Sequence, residues 1–393
     1  LAFAAALALG SPACRRSGSP ASGGSALTTA EADGLRRALL TYANIAQASY
    51  ADAADGARNL LATIESFVTA PTSGGLAEAR RAWLAARPPY QQTETFRFYD
   101  GPIDAVEMRV NTWPIDESYV DGDGRAGKLG VVADTARYPA LTSELVSELN
   151  VKEGETSVST GYHVIEYLLW GKDTHADGPG DRPHTDFVAG TDPLAARRGQ
   201  YLALVTRILV ADLETVRDAW APDRQNYRAR FLALPPAQAL GLVIKGMGAL
   251  SGSELAGERL TVAYATKAQE NEHSCFSDNT VNDLADDALG IRNVCAGRYV
   301  RANGASVSGA GICDAITLRD RPLADRLRAA VTLSYERVRA IPAPFDQAML
   351  GNDDAPGRVA IRGAIDALQA EANTLAEVAA AFGLRTQPAA PSP

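Results

Sequence analysis

Residues 194–220 read LAARRGQYLALVTRILVADLETVRDAW, and this stretch decides the fold. Tyr201, Val205, Ile208, Leu209, Leu213 and Val216 recur at helical spacing, which puts one continuous apolar stripe along a long helix. Residues 358–382 repeat the pattern with Ile361, Ile365, Leu368, Leu375 and Val378. Toward the other end, Thr28 and Glu31 make a capping-box start, and Leu35, Leu39, Tyr42, Ile45 and Ala46 then keep one apolar face. The short Val/Thr alternation at 155–160 is too brief for a strand ladder. The expected fold class is all-α, built as antiparallel helical bundles joined by loops.

Composition narrows the function. The chain has 393 residues, enough for two domains, and 46% hydrophobic residues, enough for a real core. A formal net charge of −9 argues against a nucleic-acid partner, which would require a basic face to neutralise phosphates. Residues 1–10 form an apolar run too short to span a bilayer and read as the remnant of a signal peptide. Ser11, Pro12 and Ala13 before Cys14 resemble a bacterial lipoprotein cleavage site, with Ser11 departing from the usual Leu. Cys14 is therefore a candidate for lipidation, and the Ser/Gly/Ala/Pro-rich residues 15–27 read as a flexible tether. Of the remaining cysteines, Cys295 and Cys313 flank a Gly/Ser-rich loop and form the preferred disulfide, which leaves Cys275 as a thiol.

A repeat organises the rest. Laying Arg81 on Arg259, an offset of 259 − 81 = 178, matches Ala85 with Ala263, Gln91 with Gln269 and Glu94 with Glu272. The same register matches Phe98 with Phe276 and Asp100 with Asp278. Breaker-rich residues 171–190 lie where the two halves would join. The expected organisation is a signal remnant at 1–14, the tether at 15–27, helical bundles at 28–190 and 191–385, and a disordered tail at 386–393. Residues 300–311 are expected to be a surface loop.

Three clusters could carry chemistry. In residues 159–171, Ser159 or Thr160 is placed to cap a short helix and Gly171 to end it. His163 and Glu166, at i and i+3, share a face that Tyr167 and Trp170 extend, while Val164, Leu168 and Leu169 serve the core. Imidazole beside carboxylate is half of a site for iron, zinc or manganese; equally, the two side chains can simply bond each other. The second cluster holds Glu94, Arg97, Asp100 and Asp104, which could supply further carboxylates or form an ion pair and a turn. The third holds Glu272, His273, Ser277, Asp278 and Asn279. Residues 341–344 carry no His-x-x-Glu, so the second half lacks its own copy of the first motif. Asp121-Gly122-Asp123-Gly124 lacks the downstream ligands of a calcium loop and reads as a turn, and His175 and His184 fall in a polar loop.

Taken in order, these blocks resemble the imelysin family. The resemblance rests on residues 89–94 (PYQQTE), 98–104 (FYDGPID) and 111–114 (NTWP). It rests further on Gly161-x-His163-x-x-Glu166 with 167–171 (YLLWG), and on 272–280 (EHSCFSDNT). It runs from about residue 30 to 385. Cys295 stands where the family pattern has an aromatic residue. The resemblance implies two packed helical bundles related by a pseudo-repeat, and a cleft between them holding the Gly-x-His-x-x-Glu segment. It also implies a place in the bacterial periplasm or outer envelope, lipid-anchored at Cys14, with a link to iron uptake and to other envelope iron-uptake proteins.

The reading favoured here is a metal-binding, non-catalytic protein with iron preferred and zinc as a second choice. His163, Glu166, Glu94 and Asp104 would be the ligands, with Arg97, Asp100, Tyr167, His273, Ser277, Asp278 and Asn279 around them. One alternative is a metallopeptidase, which the family was named for; Tyr167 stands where the inverted zinc-peptidase motif needs His. The other is a module that binds an organic ligand or a peptide without metal.

Overall fold

A computed structural model describes residues 26–122, 129–176 and 178–384. Cys14, the signal remnant, most of the tether and the 386–393 tail lie outside the described residues. Helix α1 (Thr29–Thr69) opens with the Thr28/Glu31 capping box and is far longer than its first apolar stripe indicates. Helices α2 (Ser73–Gln91), α3 (Tyr162–Trp170) and α4 (Ala195–Ala219) pack with it into a first bundle. Helix α5 (Pro236–Gly248) runs without a break into a π-helical stretch, Ala249–Thr261. The second bundle is completed by α6 (Thr280–Ala296), α7 (Arg321–Arg339) and α9 (Pro356–Ala381), with the short α8 (Phe345–Ala348) between the last two. The fold is all-α, as the periodicity indicates.

The two bundles share one contiguous core. Helix α1 belongs to both. Near its start Glu31 pairs with Arg319, and in its middle Asp52 pairs with Arg301. Near its end Phe67 meets Phe187, and Glu65 pairs with Arg207. The expected boundary near residue 190 thus separates two halves of the sequence without separating two cores. Helices α2 and α6 cross between the bundles and bring the first half's Arg87 onto the second half's Asp283.

One expectation needs correction. Residues 298–308 are not irregular: β1 (Arg298–Val300) and β2 (Ser306–Ser308) form an antiparallel hairpin in the register Tyr299↔Val307. Its strands are three residues long, too short to show a period of two, and Gly304 with φ +85 makes the turn. The Cys295–Cys313 disulfide closes this hairpin, and Cys275 is a free, buried thiol. Among the described residues no helix is long and apolar enough to cross a membrane.

The repeat register has a backbone signature. Asp100 (φ +60) and Asp278 (φ +57), matched at the offset of 178, both adopt the left-handed conformation that non-glycine residues rarely take. Arg81 and Arg259 do not share an environment. Arg81 is exposed beside Glu78, whereas Arg259 is buried on the π-helical stretch.

Candidate functional site

Helix α3 is buried at all nine positions, with apolar residues on one side and His163 and Glu166 turned toward residues 272–283. Neither Ser159 nor Thr160 caps it. The N-cap is Gly161 at φ +91, where a Cβ would stand 2.7 Å from the Val110 carbonyl oxygen. Both the dihedral and the close approach demand glycine. Ser159 is used elsewhere: its hydroxyl donates to the Val146 carbonyl, and the Asn150 side chain accepts from the Ser159 and Thr160 amides. Gly171 at φ +74 ends the helix, as expected.

The two motif segments from opposite halves meet in one buried cluster. His163 Nδ1 lies 3.0 Å from Glu166 Oε2. The other oxygen of Glu166 accepts from the Ser277 amide at 2.9 Å and the Ser277 hydroxyl at 2.6 Å. The His163 and His273 rings stand edge to face with centroids 4.7 Å apart, and the half-buried Trp113 covers His273 at 5.6 Å. His273 Nε2 faces two donors, Arg87 Nη2 at 3.4 Å and Gln91 Nε2 at 3.3 Å. Both of these can only donate, which makes Nε2 the acceptor and assigns the ring proton to Nδ1. Arg87 holds Asp283 through two nitrogens, donates to Asn111 Oδ1 at 2.8 Å and stacks on Tyr162 at 4.7 Å. Asp283 also accepts from Ser274 and Asn279. Tyr167 packs on Phe276 and carries the Arg182 guanidinium over its ring.

The other expected ligands are elsewhere. Asp104 accepts from the amides of Phe98, Tyr99 and Gly101, so it stitches a turn. Asp100 is exposed at that turn's left-handed position. Helix α2 has already ended at Gln91, and Glu94 begins a 3-10 turn. Glu94 is buried and taken by Arg97, by Arg259 at 2.7 Å and by the Tyr90 hydroxyl at 2.9 Å. Neither Glu94 nor Asp104 bonds His163 or Glu166, and the four-ligand set is corrected accordingly. Among the described residues no group of three or more His, Cys, Asp or Glu side chains could hold a metal ion. Asp121 pairs with Arg182 and Arg198, and Asp123 and Gly124 lie outside the described residues.

Burial dominates the electrostatics. It lowers the His163 pKa well below the usual histidine range, helped by Arg87 and Arg259. His273 is lowered in the same way. Glu166 is pushed up to about 8 by burial, against the opposing Ser277 bonds and Arg87. Near neutral pH the pair is therefore uncharged: Glu166 donates its proton to His163 Nδ1, and the imidazole proton sits on Nε2. Four buried polar atoms of this cluster have no hydrogen-bonding partner among the described residues: His163 Nε2, His273 Nδ1, Gln91 Oε1 and Asn111 Nδ2. Such a concentration marks a polar site and not a packed core.

Arg87, Gln91, Asn111, Trp113, Ser274 and Asp283 all belong to this cluster, and the sequence reading assigned none of them a role. The available signal was Asp283 with Asp287, two acids at i, i+4 on the otherwise amphipathic α6; both are buried.

This geometry defines an all-helical protein with a buried histidine–carboxylate centre where two repeat halves meet. The imelysin family profile matches residues 46–375, and the chain belongs to that family. It is similar to Iron-regulated protein A of Synechococcus elongatus, with 27% identity over 338 residues covering 83% of this chain and 80% of the relative. The fold is similar to that of an iron-regulated protein A precursor from Parabacteroides distasonis, with TM-score 0.69 and 18% identity over 89% of this chain and 95% of that one. An imelysin-like protein from Psychrobacter arcticum gives TM-score 0.60 and 15% identity over 90% and 97%.

Proposed function

We propose that the protein is a non-catalytic, iron-linked component of the bacterial envelope, anchored through Cys14, that takes a metal complex as cargo at His163. The carrying observation is the Glu166–His163 pair. Once the pair loses one proton, Glu166 accepts as a carboxylate from His163 Nδ1–H and orients Nε2 toward a ligand, the arrangement that supports metal-binding histidines. A resident metal cage does not fit, because Glu166 is saturated by Ser277 and His163 while Glu94 and Asp104 serve other partners. A metal arriving with its own anionic ligands does fit. His163 Nε2 can offer one lone pair once its proton is displaced, and His273 Nδ1–H and Asn111 Nδ2 offer donors to the anionic part. The nearby Arg87 and Arg259 favour an anionic complex over a bare cation. A peptidase centre would require three protein ligands and a base, which this donor arrangement does not supply.

Iron enters through the relatives named as iron-regulated. Zinc remains the second choice, and other envelope iron-uptake proteins are the proposed partners. Metal binding expels the proton shared by Glu166 and His163. Affinity should therefore weaken by up to about tenfold per pH unit as pH falls below about 8. The test is calorimetric titration of the full chain with ferric citrate and with zinc chloride. His163→Ala should abolish binding, and Glu166→Gln should flatten its pH dependence. Unchanged binding in His163→Ala would remove this site from consideration.

A further inference from the structure

His163 and His273 are almost completely buried, so a ligand reaches them only if something moves. The segment between them and α8 carries the chemistry for that movement. Within residues 272–278, His273 and Ser277 face the histidine centre, through the His163 ring and Glu166. Glu272 and Asp278 lie among carboxylates. Asp346 on α8 raises the negative potential at both of them, Asp173 in the loop after α3 does so at Asp278, and Glu166 does so at Glu272. Asp346 acts on Asp173 in the same sense. Thus four acids from three chain segments share one region, and among the described residues none of them forms a salt bridge with Lys or Arg.

Glu272 is the decisive member. It is fully buried, and among the described residues only the Thr280 hydroxyl offsets the burial of its carboxyl. Asp278 Oδ1 is buried without a hydrogen-bonding partner, on a residue held at φ +57. An unpaired buried carboxylate is expensive, and the group escapes the cost by keeping its proton. Beyond the bonds of Ser277 to Glu166, of Ser274 and Asn279 to Asp283 and of His273 with Arg87 and Gln91, the Gly180 amide donates to the Phe276 carbonyl, and Gln269 donates to Asp173.

We propose that Asp173, Glu272 and Asp278 form a proton-operated latch beside the charge of α8. Protonated, it lets residues 272–279 lie closed over His163 and Glu166; ionised, its like charges drive that segment away and open the centre. Burial raises the Glu272 pKa well above the usual carboxylate range, and Asp346, Asp278 and Glu166 raise it further. Burial pushes Asp278 up to about 6, with Asp173 and Asp346 adding to the effect. Burial and Asp346 raise Asp173, while the His175 amide and Gln269 bonds oppose them. These directions set the sign. The closed form binds protons more tightly than an open, solvated one, so opening increases as pH rises.

The buried thiol of Cys275 lies inside the latched segment and reports its opening. Labelling of the full chain with methyl methanethiosulfonate can be read on the Cys275 peptide by mass spectrometry. Dividing by the rate for the urea-unfolded chain at the same pH removes the thiol's own ionisation. Asp278 alone, at about 6 against an ordinary 3.8, sets a ceiling of roughly a hundredfold on the change, at tenfold per unit. The normalised rate should rise at least about tenfold from pH 5 to pH 8 in the native protein and stay within about twofold in Glu272→Gln/Asp278→Asn. A flat native profile, or an equal rise in the double variant, overturns the latch. Should the double variant not fold, hydrogen exchange of the native chain decides. Protection of residues 272–280 should fall with pH, beyond the intrinsic rate change, while α7 holds; parallel behaviour of the two segments overturns the proposal. The latch's purpose rests on His163 being the binding site, but thiol exposure needs no metal, so failure of either reading shows separately.

Discussion

Glu94 and Glu272 occupy equivalent places in the pseudo-repeat, and both are fully buried. Their surroundings could hardly differ more. Glu94 lies between Arg97 and Arg259 and accepts from Tyr90, so the opposing burial is outweighed and its pKa falls. Glu272 has no salt-bridge partner among the described residues and only the Thr280 hydroxyl to offset its burial, and its pKa rises well above normal. One block has become an internal ion network that joins the two bundles. The other has kept a buried acid whose charge is unpaid for, beside the histidine centre. The difference shows that a shared motif position specifies burial, while distant partners decide whether the buried group is structural or responsive.

Removing the cation from the Glu94 side should have the largest effect. Arg259→Met leaves Glu94 and Asp287 buried without their shared guanidinium, and should cost about 3–5 kcal/mol in urea unfolding at neutral pH. A loss under about 1 kcal/mol would mean that the network is not what neutralises Glu94. Glu94→Gln should cost somewhat less, about 2–3 kcal/mol, since Arg97 keeps Glu107 and Arg259 keeps Asp287. Its cost should shrink in acid. A carboxylate with a depressed folded pKa contributes stability above its unfolded pKa and loses it as pH falls through the folded value.

Glu272→Gln should do the reverse. The folded chain holds this proton after the unfolded chain has released it, so the native protein loses stability as pH rises above the ordinary glutamate value of 4.5. The amide imitates the protonated acid without that loss. The variant should match the native chain near pH 4 and become more stable toward pH 8, by at most about 1.4 kcal/mol per unit. Thermal melts that show the variant less stable at pH 8 would contradict the assignment of Glu272 as an unpaired acid.

Much of the scaffold was legible because its signals are local. The Thr28/Glu31 capping box, the stripes of α4 and α9 and the stop at Gly171 each reside within a few residues of the feature they dictate. The pairing of Cys295 with Cys313 was legible from the Gly/Ser-rich loop that the two residues flank. What the sequence hid is non-local. Glu94 finds Arg259 165 residues away, and Arg87 finds Asp283 across 196. Periodicity cannot reveal such pairs, which is why Glu94 and Asp104 looked available as ligands. The cap of α3 failed for a related reason: Gly161 is required by the backbone of residues 109 and 110 pressing against it, and Ser159 and Thr160 only resemble caps. The His163–Glu166 pairing, an i, i+3 contact, was readable; the arrival of His273 and Ser277 on it was readable only in outline, through the repeat.

In the proposed function, His163 receives the metal of an incoming complex while Glu166 orients it. Anomalous diffraction from crystals of the full chain loaded with ferric citrate tests this directly. One anomalous peak is expected about 2 Å from His163 Nε2, with Glu166 still bonded to Nδ1. A peak held by Glu94 and Asp104, or a well-occupied site away from His163, would contradict it.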